Sequence, residues 1–235
     1  MNKLLLTTIT GLGILTISST AAEWENSFDL GATVTKGNSD SLLVTAGFTS
    51  ALQETSDEYL INLFYTYGET EDNATNDDVL ANASWKHLLN DKYYTGARYD
   101  FLRDDIADLK YRTSVTAIAG TYLIKNDVTQ LSLEGGIGYT FEEQGGIDNN
   151  YANLYIGEFF EHQINDSTKI YQSIALFAPI DDFNNYNFIA ELGVETTLTE
   201  TLSLKVFFQN KYDAEPAVGQ KSSDTRFVTG ISYKF

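Results

Sequence analysis

Phe227-Val228-Thr229-Gly230-Ile231-Ser232-Tyr233-Lys234-Phe235 ends the chain. Taken by twos, Phe227, Thr229, Ile231, Tyr233 and Phe235 form one row, and Arg226, Val228, Gly230, Ser232 and Lys234 form the other. One face is thus largely apolar and aromatic at a period of two, the spacing of a β-strand. A strand that runs to the last residue would fray unless it were paired along its length. The segment is therefore expected to pair with the first strand of its own sheet and to close that sheet into a barrel.

The opening of the chain is consistent with this. Met1-Asn2-Lys3 is a short positive start, and Leu4 to Ile17 is apolar but too short to span a bilayer as a helix. Ser18-Ser19-Thr20-Ala21-Ala22 supplies small residues for cleavage. Residues 1–22 are expected to be a removed signal peptide and 23–235 a single domain.

Composition narrows the class. No second apolar run has the length of a spanning helix. Cysteine is absent, which removes disulfides and thiolate chemistry. Tyr and Phe number 15 and 14, and such aromatics are favoured at bilayer interfaces. The formal charge of -18 argues against a nucleic-acid partner. A hydrophobic content of 43% argues against disorder.

Turn signals recur at an even interval: Glu54-Thr55-Ser56-Asp57, Asn90-Asp91, Lys125-Asn126-Asp127, Asn165-Asp166-Ser167 and Thr199-Glu200-Thr201. Asn, Asp and Ser favour turns because their side chains bond the nearby backbone. Each interval fits two strands and one intervening loop. The intervening loops read as longer and more polar, at 69–77, 102–108, 142–150, 180–184 and 213–224, with Lys36 to Asp40 the shortest. Tight turns at one end and longer loops at the other match the periplasmic and extracellular ends of an outer-membrane barrel. About twelve strands follow, near 24–35, 39–52, 58–69, 78–89, 92–103, 108–124, 128–142, 150–164, 168–180, 184–198, 202–212 and 224–235. Pro179 and Pro216 both fall at strand ends or in loops.

Alternation is clear in several strands. Leu131, Leu133, Ile137, Tyr139 and Phe141 oppose Ser132, Glu134, Thr140 and Glu142. Leu202, Leu204, Val206 and Phe208 oppose Ser203, Lys205 and Gln209. The eighth strand, 150–164, is mixed. A soluble lipocalin-like barrel would alternate too, with the apolar face inward. Strand length, aromatic strand ends and loop asymmetry favour a transmembrane antiparallel β-barrel, in which lipid requires every backbone group to be paired internally.

Phe28 to Ser41, with Thr35-Lys36-Gly37-Asn38-Ser39-Asp40 between two strands, resembles the opening of a bacterial family described as salt-induced outer-membrane proteins. Gly230-Ile231-Ser232-Tyr233-Lys234-Phe235 is similar to its ending. The resemblance implies an outer-membrane barrel without an agreed activity, embedded in lipid and lipopolysaccharide. It also implies delivery by the barrel-assembly machinery through the strand ending in Phe235. It supplies no catalytic residue.

Function should then lie on the inward face. Parity places Lys86, Arg98, Asp100, Arg112, Glu134, Glu158, Glu191, Glu195, Lys205, Arg226 and Lys234 there. A circular twelve-strand barrel has a backbone radius of roughly 12 Å, so long side chains fill much of it. The charges either line a narrow water-filled channel or pair into a plug. Glu191 and Glu195 lie on one face of one strand, roughly 13 Å apart, which reads as an acid row rather than a glycosidase pair. His87 and Ser84 point to opposite faces, and His162 is near a periplasmic turn, where a surface or lumen histidine is the default. Gly135-Gly136-Ile137-Gly138 is inside a strand with no helix after it, unlike a nucleotide loop. Asp77-Asp78, Asp104-Asp105 with Asp108, and Asp181-Asp182 form an acidic rim that could attract divalent cations, without a calcium-loop spacing. No catalytic residue, cofactor or built-in metal site is expected. The leading expectation is a small passive pore or structural envelope protein. The alternatives are a barrel hydrolase, a surface binding protein and a soluble periplasmic barrel.

Overall fold

The computed structural model describes residues 23–35 and 40–235. The signal segment and the Gly37-Asn38-Ser39 motif lie outside the described residues. The described chain forms twelve strands: β1 (Glu25–Thr35), β2 (Ser41–Gln53), β3 (Asp57–Thr70), β4 (Asn73–Leu88), β5 (Tyr93–Asp104), β6 (Leu109–Lys125), β7 (Thr129–Gln144), β8 (Ile147–Asn165), β9 (Thr168–Pro179), β10 (Asn187–Thr197), β11 (Leu202–Asp213) and β12 (Ser223–Lys234). Each pairs antiparallel with the next, and β12 returns to β1, so the sheet is a closed barrel.

The closure is made by the segment that opened the sequence reading. Ser27 to Gly31 pair with Lys234 to Gly230. The Phe235 amide donates to the Asn26 carbonyl at 3.1 Å, and its ring stacks on Phe28 and Tyr233 at 6.4 and 6.2 Å. A Cβ on Gly230 would lie 2.5 Å from the Leu30 carbonyl oxygen, so glycine is what lets these two strands meet.

The barrel end that carries residue 23 and Phe235, here the near end, is built from the turns read in the sequence. Asn90, Asn126 and Asn165 each accept two backbone amides through Oδ1 at 2.9 to 3.0 Å. Thr199 Oγ1 does the same for Thr201 and Leu202. These side chains replace ladder partners where the chain reverses.

The far end differs from expectation in two places. The stretches 69–77 and 142–150 are not long loops. β3 and β4 run on and reverse over Glu71-Asp72, with φ of 50° and 60°, and β7 and β8 reverse over Gly145-Gly146, with φ of 58° and 74°. Positive φ at both central residues marks the two-residue hairpin turn whose twist matches the sheet. Polarity in 73–78 and 148–150 therefore reports contact with water rather than irregular backbone. Only 180–186 and 214–222 are longer connections among the described residues of this end.

Burial follows the period of two. Leu133, Ile137, Tyr139 and Phe141 of β7 are exposed, while Gln130, Ser132, Thr140 and Glu142 are buried. Phe227 and Ile231 are 57% and 49% exposed, whereas Arg226 and Ser232 are 7% and 0%. The apolar face is thus outside, which excludes the soluble inward-apolar barrel. Aromatics mark both rims of that face: Trp24, Tyr59, Trp85, Tyr93 and Tyr233 near one end, and Tyr65, Tyr99, Tyr139, Phe141 and Tyr212 toward the other. An apolar band between aromatic girdles is the exterior of a transmembrane barrel.

Candidate functional site

Inward side chains fill much of the bore. Tyr94, Ile118, Tyr122, Tyr155 and Phe177 pack together, with Tyr171, Phe207 and Val228 as a second cluster. Tyr155, Phe177 and Phe207 also border a cavity of about 150 Å³. Lys86, Arg98, Asp100, Arg112, Glu134, Glu191 and Arg226 line it.

Most charges around the cavity are paired, while Glu191 accepts a hydrogen bond from Gln209 Nε2 at 2.8 Å. Glu134 takes Lys86 Nζ and the Tyr94 hydroxyl on Oε2, each at 2.9 Å, and the Tyr155 hydroxyl on Oε1 at 2.8 Å. Arg98 forks onto Asp100 at 2.6 and 2.7 Å, with its guanidinium 5.2 Å from the Tyr155 ring centre. Arg112 joins Glu142 and, at 2.7 Å, Asp213. Glu195 and Lys205 lie below the cavity. Lys169 meets Glu161 at 2.9 Å and Glu195 at 3.7 Å, and Lys205 meets Asp29 at 2.9 Å. Lys234 is buried on the inward row of β12. Each such pair is held because removing one partner would strand a buried charge.

Glu158 is a correction. Its neighbours Gly157 and Phe159 face inward, so alternation turns its side chain to the outer face. The residue borders the cavity, but its carboxylate accepts from Gln172 Nε2 at 3.0 Å. On β8 both faces carry apolar residues, Leu154 and Ile156 outside and Tyr155 and Phe159 inside, so the sequence offers little contrast.

At the far end the pairs cross the bore. Asp78 of β4 and Asp104 of β5 are register partners on one wall. Arg226 of β12 binds Asp78 at 2.9 and 3.1 Å. Lys211 of β11 binds Asp78 at 3.2 Å and also Asp104. All four are less than 10% exposed. In the barrel order β5 and β11 stand opposite each other. A Lys–Asp pair bridges roughly 13 Å of backbone separation, about half the diameter of a circular twelve-strand barrel. The cross-section is therefore oval at this level, with the four charges as a latch across its short axis.

The latch changes the reading of the acidic rim. Asp78 and Asp104 are strand residues turned into the bore, and Asp104 also accepts the Ala107 amide at 3.1 Å. Asp105, in the loop beyond β5, is held below the usual carboxylate range by its hydrogen bond from Arg103. Among the described residues, no cluster of three or more His, Cys, Asp or Glu is placed to hold a metal ion. His87 and His162 both sit on the outer face near the near-end rim. His87 Nδ1 is 3.1 Å from Asp57, which also accepts from the Trp85 indole, and His162 Nδ1 is 2.8 Å from the Thr129 hydroxyl. Neither reaches the cavity.

Sequence reading missed Asp29, Asp78, Asp104, Glu142, Glu161, Lys169 and Lys211 as bore residues. Parity was available for most of them, though not for Glu161 on the mixed eighth strand. Asp29, for example, stands between Phe28 and Leu30 on a strand whose even residues face out.

Comparison with solved structures gives the same architecture. The NanC porin superposes with a TM-score of 0.54 at 10% identity, covering 88% of this chain and all of its own. An outer membrane channel of Pseudomonas putida F1 gives 0.55 at 9% identity, covering 97% of this chain and 100% of its own. The KdgM porin in complex with disordered oligogalacturonate gives 0.50 at 8%, covering 89% and 99%. At such identities the likeness speaks for the fold alone. No curated protein matches the chain. The model of the family described as protein of unknown function DUF481 matches residues 28–235, from the first outward phenylalanine of β1 to the closing Phe235, and the chain belongs to that family.

Proposed function

We propose that this protein is an outer-membrane channel for small solutes, held shut in this conformation by the far-end latch. The observation that carries the reading is the Asp78–Arg226 and Asp104–Lys211 pairing across the short axis of the bore. A purely structural barrel has no use for a cavity with charged side chains in its wall behind such a latch, and the neighbours of like fold are named as porins and a channel. In this reading the near end with both termini is periplasmic, lipid and lipopolysaccharide surround the girdles, and the strand ending in Phe235 is what the assembly machinery takes up. No catalytic role is assigned to either histidine. Because the latch is shielded from bulk water, salt alone screens it weakly, and any link to salt would act elsewhere than on these four charges.

Reconstitution in planar bilayers tests this. Wild-type protein is expected to show small, infrequent conductance steps. Lys211→Met removes one latch cation, leaves Asp104 without its cross-bore partner, and should raise open probability severalfold with a preference for cations. Silence from both proteins, each shown to be folded by its resistance to unfolding in cold detergent, would overturn the channel.

A further inference from the structure

Inward positions of an outer-membrane barrel are ordinarily polar, yet four apolar side chains line the cavity beside the latch. Phe64 on β3, Leu80 on β4 and Leu102 on β5 are successive register partners, so they form one row across the wall. Leu80 lies two residues from Asp78 and Leu102 two from Asp104, each one step along the same inward face. Ile189 on β10 is the register partner of Lys211, and β10 stands opposite β4 in the barrel order. Leu60, Phe159 and Phe207 add to this apolar lining.

Burial separates this row from a packed core. Leu60, Phe159 and Phe207 are buried, but Phe64, Leu80, Leu102 and Ile189 are only half-buried, although all four point into the bore. Their open surface borders free volume, and apolar surface left against water forgoes about 25 cal/mol per Å² that covering it would recover. The polar groups of the same wall are taken up with one another. Arg98 holds Asp100, Lys86 holds Glu134, and Asn62 Nδ2 donates to Asn82 at 3.0 Å. A sugar or an ion entering here sheds its water against neighbours that are already paired. An apolar molecule sheds little and covers the open side chains.

We propose that the cavity is a binding site for a small uncharged molecule with an apolar body about the size of one aromatic ring. A cavity of roughly 150 Å³ lined by Leu, Ile and Phe holds benzene in another protein, and this one measures about 150 Å³. Phe64, Leu80 and Leu102 cover one side of such a molecule and Ile189 the other. The latch roofs the site, so the solute enters from the far end when those four charges part.

The purpose of the site rests on the channel reading, whose solute class it names, but its occupancy does not. The test is therefore equilibrium binding rather than flux. Fluorobenzene is titrated into the detergent-solubilised protein and, in parallel, into empty micelles of the same detergent, and followed by fluorine NMR. Para-fluorobenzoate and para-fluorobenzylammonium carry the same ring with a charge of either sign. Saturable binding of fluorobenzene beyond its partition into micelles is expected, with both charged probes weaker by roughly tenfold or more. Leu80→Asn puts an amide into the apolar row and should weaken fluorobenzene by roughly tenfold. Leu102→Trp fills the cavity and should abolish binding, which gives a second reading if the first variant folds poorly. The comparison of probes on wild-type protein needs neither variant. The proposal is overturned if fluorobenzene behaves as it does in empty micelles, if either charged probe matches it, or if both variants bind it as the wild type does. Saturable binding without any conductance would support the site and count against the channel alone. Conductance without binding would leave the channel and remove the site.

Discussion

Glu134 and Glu158 are both mid-strand glutamates, and the barrel wall separates them. Glu134 is inside, ion-paired to Lys86 and bonded by two tyrosines, while Glu158 is outside with only Gln172. Their replacements should therefore have opposite effects. Glu134→Leu strands the Lys86 ammonium and should cost about 3–5 kcal/mol. Glu158→Leu places an apolar group among Leu133 and Ile174, its register partners, and should be neutral or stabilising by up to about 1 kcal/mol. Urea unfolding in lipid vesicles measures both, and equal losses would contradict the facing assigned here. The contrast also shows what could be read at this scale. Glu134 sits in a strand whose odd residues are Leu131, Leu133, Ile137, Tyr139 and Phe141, so its face is plain. Glu158 sits where apolar residues occupy both faces, and a single-residue choice of register reverses it.

At the level of elements, the strands were legible because period-two alternation and Asn-led turns are local signals. The two hairpins over Glu71-Asp72 and Gly145-Gly146 were not, because water-facing strand ends and loops have the same composition. The pairing of β1 with β12 spans nearly the whole chain, and only closure of the barrel brings Leu30 opposite Ile231. The protein has no cysteine of its own. A double variant, Leu30→Cys with Ile231→Cys, should then form one intramolecular disulfide under mild oxidation, since facing residues on paired strands lie within bridging distance. The bridged protein should migrate as a compact monomer on denaturing gels without reductant. Failure to bridge, or bridging only between molecules, would mean that the barrel does not close at this seam.

For the whole molecule, the mixed-sign interior was visible in the sequence, but its connections were not. Lys211 and Asp104 are 107 residues apart, and Arg226 and Asp78 are 148 apart. No local pattern links such pairs, and a circular estimate of the barrel places them too far apart to touch. The oval section follows from those contacts, as does a bore that is latched and not simply open or plugged. All of this requires that the greasy girdled surface meets lipid and that the charged surface is enclosed. The two tryptophans, Trp24 and Trp85, lie on the outer face at the near-end girdle, 46% and 43% exposed. Their fluorescence in vesicles made with lipids brominated at different depths is the most direct measurement. Strong quenching by bromines close to the headgroup, weaker quenching by bromines at the bilayer centre and little quenching by aqueous iodide is the predicted result. Free access of iodide to both indoles, with no effect of brominated lipid at any depth, would contradict the account.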